Sequence, residues 1–127
     1  MKFIGIIITF LISLLGFSKL SHAQTSPDGE VITQLKKAGS NLSKPHIIEF
    51  YLYFQTKETA ERIERKLVKQ GYITKIGLAA KGNEWLIMAT KPMIPTESTL
   101  LEQRKILDAL AKSENGEYDG WGTPIIK

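Results

Sequence analysis

Alternation is sharpest in "HIIEFYLYF", where Ile48, Phe50, Leu52 and Phe54 point to one side of an extended chain and Ile47, Glu49, Tyr51 and Tyr53 to the other. The first set is wholly apolar and belongs in a core. The second carries a carboxylate and two phenols, so its side is only partly dry. The period then changes. In "TKETAERIERKLVKQGY" Ala60, Ile63 and Leu67 make one helical stripe, Thr56 is placed to cap it and Gly71 to end it. "YITKIGLAA" alternates again, with Tyr72, Thr74, Ile76 and Leu78 on one face, and "KGN" turns it into a third strand, "EWLIMATK". After a loop, "PMIP", the stretch "TLLEQRKILDALAKSENG" is helical. Thr99 and Glu102 have capping-box spacing there, and Leu100, Ile106, Leu107 and Leu110 form the apolar face. "EYDGWGTPII" reads as a last strand. Ahead of all this, a polar leader from Gln24 to Gly29 precedes a helix in "GEVITQLKKAGSN", with Val31, Ile32, Leu35 and Ala38 at helical spacing and Gly39 as its stop.

After that first helix the order is strand, helix, strand, strand, helix, strand. Right-handed crossovers and one hairpin turn this order into an α+β, ferredoxin-like βαββαβ arrangement. It has an antiparallel four-stranded sheet with two helices on one face, plus the extra N-terminal helix. The topology places the last strand beside the first, at the edge of the sheet.

The opening "MKFIGIIITFLISLLGFSKLSHAQ" follows a different rule. A basic residue, an apolar run from Phe3 to Phe17, and Ser21-His22-Ala23 have the order of a secretory signal cut after Ala23. The run is shorter than a spanning helix of about 20 residues. The expected organisation is a signal peptide over 1–23 and one domain over 24–127, periplasmic or secreted. Loss of Lys2 and Lys19 takes the bases from 17 to 15 against 13 acids, so the net charge falls from +4 to +2. No dense basic stripe of the kind that tracks a phosphate backbone remains. The chain has no cysteine, which excludes disulfides, thiol chemistry, lipid acylation and cysteine metal sites, and leaves the core alone to hold the fold.

Candidate chemistry is sparse. His46, the one histidine beyond the signal, stands next to Pro45 at a strand start and is expected at the surface, with no partners for a zinc site. Glu58, Glu61 and Glu64 alternate with Lys57, Arg62, Arg65 and Lys66 as solvated helix pairs. No Ser-His-Asp grouping, phosphate loop or paired carboxylate with a base is present, so neither catalysis nor a cofactor is expected. Tyr51 and Tyr53 offer an alternative binding face: on an open sheet they would stack bases, although Glu49 beside them repels phosphate.

The closing "GEYDGWGT", preceded by a helix such as "LLEQRKILDALAKSEN", resembles the C-terminal signature of the RraB family, the regulators (inhibitors) of ribonuclease E. "GSNLSKPHIIEFYLYFQTKETAERIERKLVKQGY" is similar to the family's first strand and helix, and "MIP" before the last helix is also similar. The resemblance runs from about Asp28 to Thr123. It implies a ferredoxin-like fold, no catalytic residues, and a non-enzymatic role in binding another protein. It makes Tyr118, Asp119, Gly120, Trp121 and Gly122 the expected partner-binding motif. From the residues alone, the glycines also suit a bulge that packs the indole against the sheet. The family's best-known members are acidic and cytosolic, whereas this chain is mildly basic with an export signal. The expectation is therefore an exported protein-binding module with an unidentified partner. If the chain stays in the cytosol, it is a regulator of ribonuclease E.

Overall fold

The computed structural model describes residues 26–80 and 82–127. The expected signal peptide lies outside the described residues. The elements are α1 (Pro27–Lys37), β1 (His46–Phe54), α2 (Lys57–Lys69), β2 (Ile73–Leu78), β3 (Trp85–Met93), α3 (Glu97–Ser113) and β4 (Glu117–Gly122). The four strands form one sheet in the order β2-β3-β1-β4. This is the expected ferredoxin-like α+β architecture, with β4 beside β1 at an edge.

The three described helices all end in the same way. At the end of α2 the Gly71 N–H donates to the Val68 carbonyl (3.0 Å) and the Tyr72 N–H to Leu67 (3.1 Å), a Schellman pair that requires a left-handed residue. Gly71 fills that position with φ 96°; Gly39 and Asn115 do so for α1 and α3 with φ 93° and 58°. The helix starts are less uniform. Thr56 caps α2 as its spacing predicts, its Oγ1 accepting from the Thr59 N–H at 3.1 Å. The last helix begins earlier than expected. Thr96 is its cap, accepting from the Thr99 N–H at 3.1 Å, so Thr99 is three residues inside and the Thr99–Glu102 box is not used. Likewise α1 starts at Pro27 and not after Gly29: Ser26 accepts from the Gly29 N–H at 3.0 Å, and proline suits the first turn because its missing N–H would have had no partner. β3 runs through Pro92 to Met93, where a loop was expected. Its register with β2 ends at Ile73 opposite Thr90, so the proline lies beyond that paired stretch. β4 stops at Gly122, short of the expected "TPII".

The described chain divides into two compact units: one of residues up to Ile48, Pro92–Glu102 and Gly122–Lys127, the other of Glu49–Lys91 and Gln103–Trp121. In the second unit Phe50, Leu52 and Phe54 on β1, Ile87 and Ala89 on β3, Ala60, Ile63 and Leu67 on α2, and Leu107 and Ala111 on α3 are all fully buried. Each large side chain among them contributes about 1.5–3 kcal/mol. The Phe50 ring meets Tyr72 edge-on at 6.0 Å, and the Tyr72 hydroxyl donates to Gln103 Oε1. Arg62 clamps Glu114 through two bonds of 2.9 Å, tying α2 to the C-terminal cap of α3 on the same face of the sheet. In the first unit Val31 and Leu35 of α1, with Ile48 and Leu100, form the apolar centre.

Candidate functional site

The stretch after α3 is held by close packing. The Asn115 turn brings the Gly116 N–H onto the Ala111 carbonyl at 2.7 Å. A Cβ on Gly116 would lie 2.3 and 2.4 Å from atoms of the Phe54 ring and 2.6 Å from the Tyr53 carbonyl oxygen. Only glycine lets β4 approach β1 this closely. β4 then alternates: Glu117 and Asp119 are exposed, while Tyr118 is half-buried, its ring 6.5 Å from Phe50 and 5.7 Å from the Arg104 guanidinium. Gly120 has φ 104°, a conformation that other residues rarely adopt, and Trp121 after it is only 1 % exposed.

Of the two readings of the motif, the burial of Trp121 agrees with the one in which the glycines let the indole pack; it is among the largest fully buried side chains of the protein. Within Tyr118-Asp119-Gly120-Trp121-Gly122 the exposed residue is Asp119.

Beside the motif is an open groove of about 230 Å³ lined by Tyr53, Gln55, Glu84, Asn115, Gly116 and Glu117. Burial pushes the Tyr53 hydroxyl up, and the charges of Asp119, Glu84 and Glu117 push it further, so it remains a neutral hydrogen-bond donor. The Asp119 carboxyl is also raised, first by desolvation and then by Glu117. None of the described lining residues is basic. The groove therefore suits a cationic side chain or a chain of N–H donors, and repels phosphate.

Tyr51 and Tyr53, expected as a shared face, have separate fates. Tyr51 is only 8 % exposed, and its hydroxyl donates to Glu49 Oε1 at 2.7 Å. Burial first, and then Glu49, raise its pKa. A buried phenol bonded to a carboxylate cannot stack on a base, and Tyr53 stands among carboxylates.

His46 corrects an expectation. It is fully buried, not at the surface. A carbonyl only accepts, so Nδ1 carries the proton donated to the Lys44 carbonyl (2.8 Å), and Nε2 accepts from the Ser40 hydroxyl (2.7 Å). Ser40 Oγ in turn accepts from the Ile126 N–H at 2.9 Å, and nearby the Thr123 hydroxyl donates to the Ile47 carbonyl at 2.9 Å. The sequence contained every member of this Ser-His pair, but nothing local brings residues 40, 46 and 126 together. The serine is already donor and acceptor inside the fold, so the cluster fastens segments and presents no nucleophile. Among the described residues no group of three or more His, Asp or Glu is placed to hold a metal ion.

The family model described as regulator of ribonuclease activity B matches residues 26–123, and the chain belongs to that RraB family. No curated protein gives a significant match.

Proposed function

We propose that this chain is an exported, non-enzymatic regulator that binds a protein partner outside the cytosol, through the groove beside β4. Membership of a regulator family supports the class of function. The order of residues 1–23 supports export and cleavage after Ala23. The observation that carries the contact surface is the groove itself, where Tyr53 stands among Glu84, Glu117 and Asp119. Its chemistry selects a lysine- or arginine-bearing segment, with Asp119 as the exposed contact of the motif and Trp121 as the support beneath it.

Two measurements test this reading. Fractionation of Gram-negative cells expressing the full chain, with the mass of the product in each fraction, reads the location. A periplasmic or secreted species beginning at Gln24 is expected. An uncut cytosolic product refutes export and returns regulation of ribonuclease E as the function. In the compartment where the protein is found, a photo-crosslinker replacing Glu117 is expected to give one discrete adduct that is absent when it replaces the exposed Lys105 on α3. Equal labelling from both positions, or none, removes the groove as the contact.

A further inference from the structure

Among the described residues the two most exposed large apolar side chains, Ile73 at 73 % and Leu78 at 63 %, stand at the two ends of one strand, β2. Among the described residues that strand ends the sheet, with β3 on one side and no strand on the other. Which backbone groups face the open side follows from its register. The Ala79 N–H donates to the Glu84 carbonyl at 2.8 Å, continuing the antiparallel pairing of Leu78 with Trp85. Alternation along the strand then gives residues 73, 75 and 77 their backbone bonds toward β3, and leaves the N–H and C=O groups of Thr74, Ile76 and Leu78 directed outward. Edge strands are usually protected by several charges, a proline or a bulge. β2 has one charge, Lys75, and neither of the others.

We propose that the outer edge of β2 is a self-association surface, on which β2 of a second copy of this chain pairs antiparallel with Ile76 opposite Ile76. A two-fold axis normal to the sheet keeps each face continuous and permits registers centred on Lys75 or on Ile76. Centring on Lys75 sets two ammonium groups directly opposite, a destabilising pair. Centring on Ile76 sets Lys75 opposite Gly77 of the second copy. A side chain at Gly77 would meet nothing within 4 Å, so the lysine stem enters open space. In that register Thr74 pairs with Leu78 of the second copy, and the outward backbone groups of Thr74, Ile76 and Leu78 are all matched. The Thr74 hydroxyl is already bonded to Glu64 at 2.8 Å, so pairing leaves it its partner. Leu78 loses its exposure on one face, and Ile73 meets Ala79 of the second copy on the other. A six-residue edge lies at the small end of specific interfaces, so the dimer is reversible.

Sedimentation velocity over a concentration series, on the product recovered from cells expressing the full chain, reads this directly. The mass is expected to rise from one chain to two. Leu78→Pro removes an outward N–H that β3 does not use, and by symmetry does so twice; it is expected to raise the dimerisation midpoint by roughly tenfold or more. Charges at the open position 77 test the register even if the proline variant fails to fold. Gly77→Glu, set against Lys75 of the second copy, is expected to lower the midpoint roughly threefold, and Gly77→Lys to raise it. A single-chain mass at every concentration overturns the proposal. So does a dimer indifferent to Leu78→Pro in a folded variant, or one on which the two charges at position 77 act alike.

Discussion

Gly116→Ala isolates the packing that builds the groove. The added methyl would sit 2.3 and 2.4 Å from the Phe54 ring and 2.6 Å from the Tyr53 carbonyl, against ordinary contacts of 3.4 Å or more. Neither neighbour is a flexible tip. Phe54 is fully buried, and the carbonyl belongs to the strand backbone, so β4 itself must shift. Gly116 is not among the positive-φ residues, and the cost is therefore steric and not torsional. Overpacking of this kind costs about 1–3 kcal/mol, and the upper part of that range applies where both neighbours are rigid. Alanine also narrows the unfolded ensemble, which returns about 0.4–1 kcal/mol. The net expectation is a loss of about 1–2 kcal/mol, or very roughly 4–15 °C in Tm for a domain of this size. Gly77→Ala is the control, because its methyl meets nothing; on dilute protein it should be neutral or slightly stabilising. Urea denaturation of both variants, monitored by tryptophan fluorescence, decides the matter. A Gly116→Ala midpoint within error of the Gly77→Ala midpoint would refute the close approach of β4 to β1.

Three further outcomes follow from single positions. Trp121→Ala removes a buried indole and should cost about 3–5 kcal/mol, seen as loss of the cooperative unfolding transition at physiological temperature; an unchanged transition would mean that the indole is not core. Asp119→Asn should stabilise the protein at neutral pH, because a carboxyl raised by desolvation and Glu117 opposes folding once ionised. That gain should fade as the pH falls through the carboxylate range and Asp119 takes its proton, and a gain that persists at low pH would assign it another cause. Ser40→Ala leaves His46 Nε2 and the Ile126 N–H without their partner, at a cost of about 1–3 kcal/mol. Hydrogen exchange at the Ile126 amide should quicken before exchange in α2 does, and a uniform change would argue against a local fastener.

What sequence alone determined is what lies within one element. The period-two alternation of His46–Phe54 assigned the fully buried Ile48, Phe50, Leu52 and Phe54 of β1 but not the buried Tyr51 and His46, and the stripe Ala60, Ile63, Leu67 between Thr56 and Gly71 set the face of α2 and both its ends. These signals involve neighbours two to four positions apart, where strand and helix geometry act directly on side chains. The order of such elements was then enough for the sheet topology. Boundaries were less legible, since Thr96 and Thr99 present the same hydroxyl and the choice between them depends on where the chain arrives from β3. The tertiary structure alone decided the state of His46, whose burial rests on Ser40 and the backbone of Ile126. It also decided that Trp121 is buried, although Glu117 and Asp119 at the preceding odd positions of β4 are exposed. The groove is of the same kind: Tyr53, Glu84 and Glu117 belong to separate segments, and their charges act on one phenol only after the chain has folded. Local pattern specifies which residues leave water; the meeting of distant residues specifies what their polar groups find when they do.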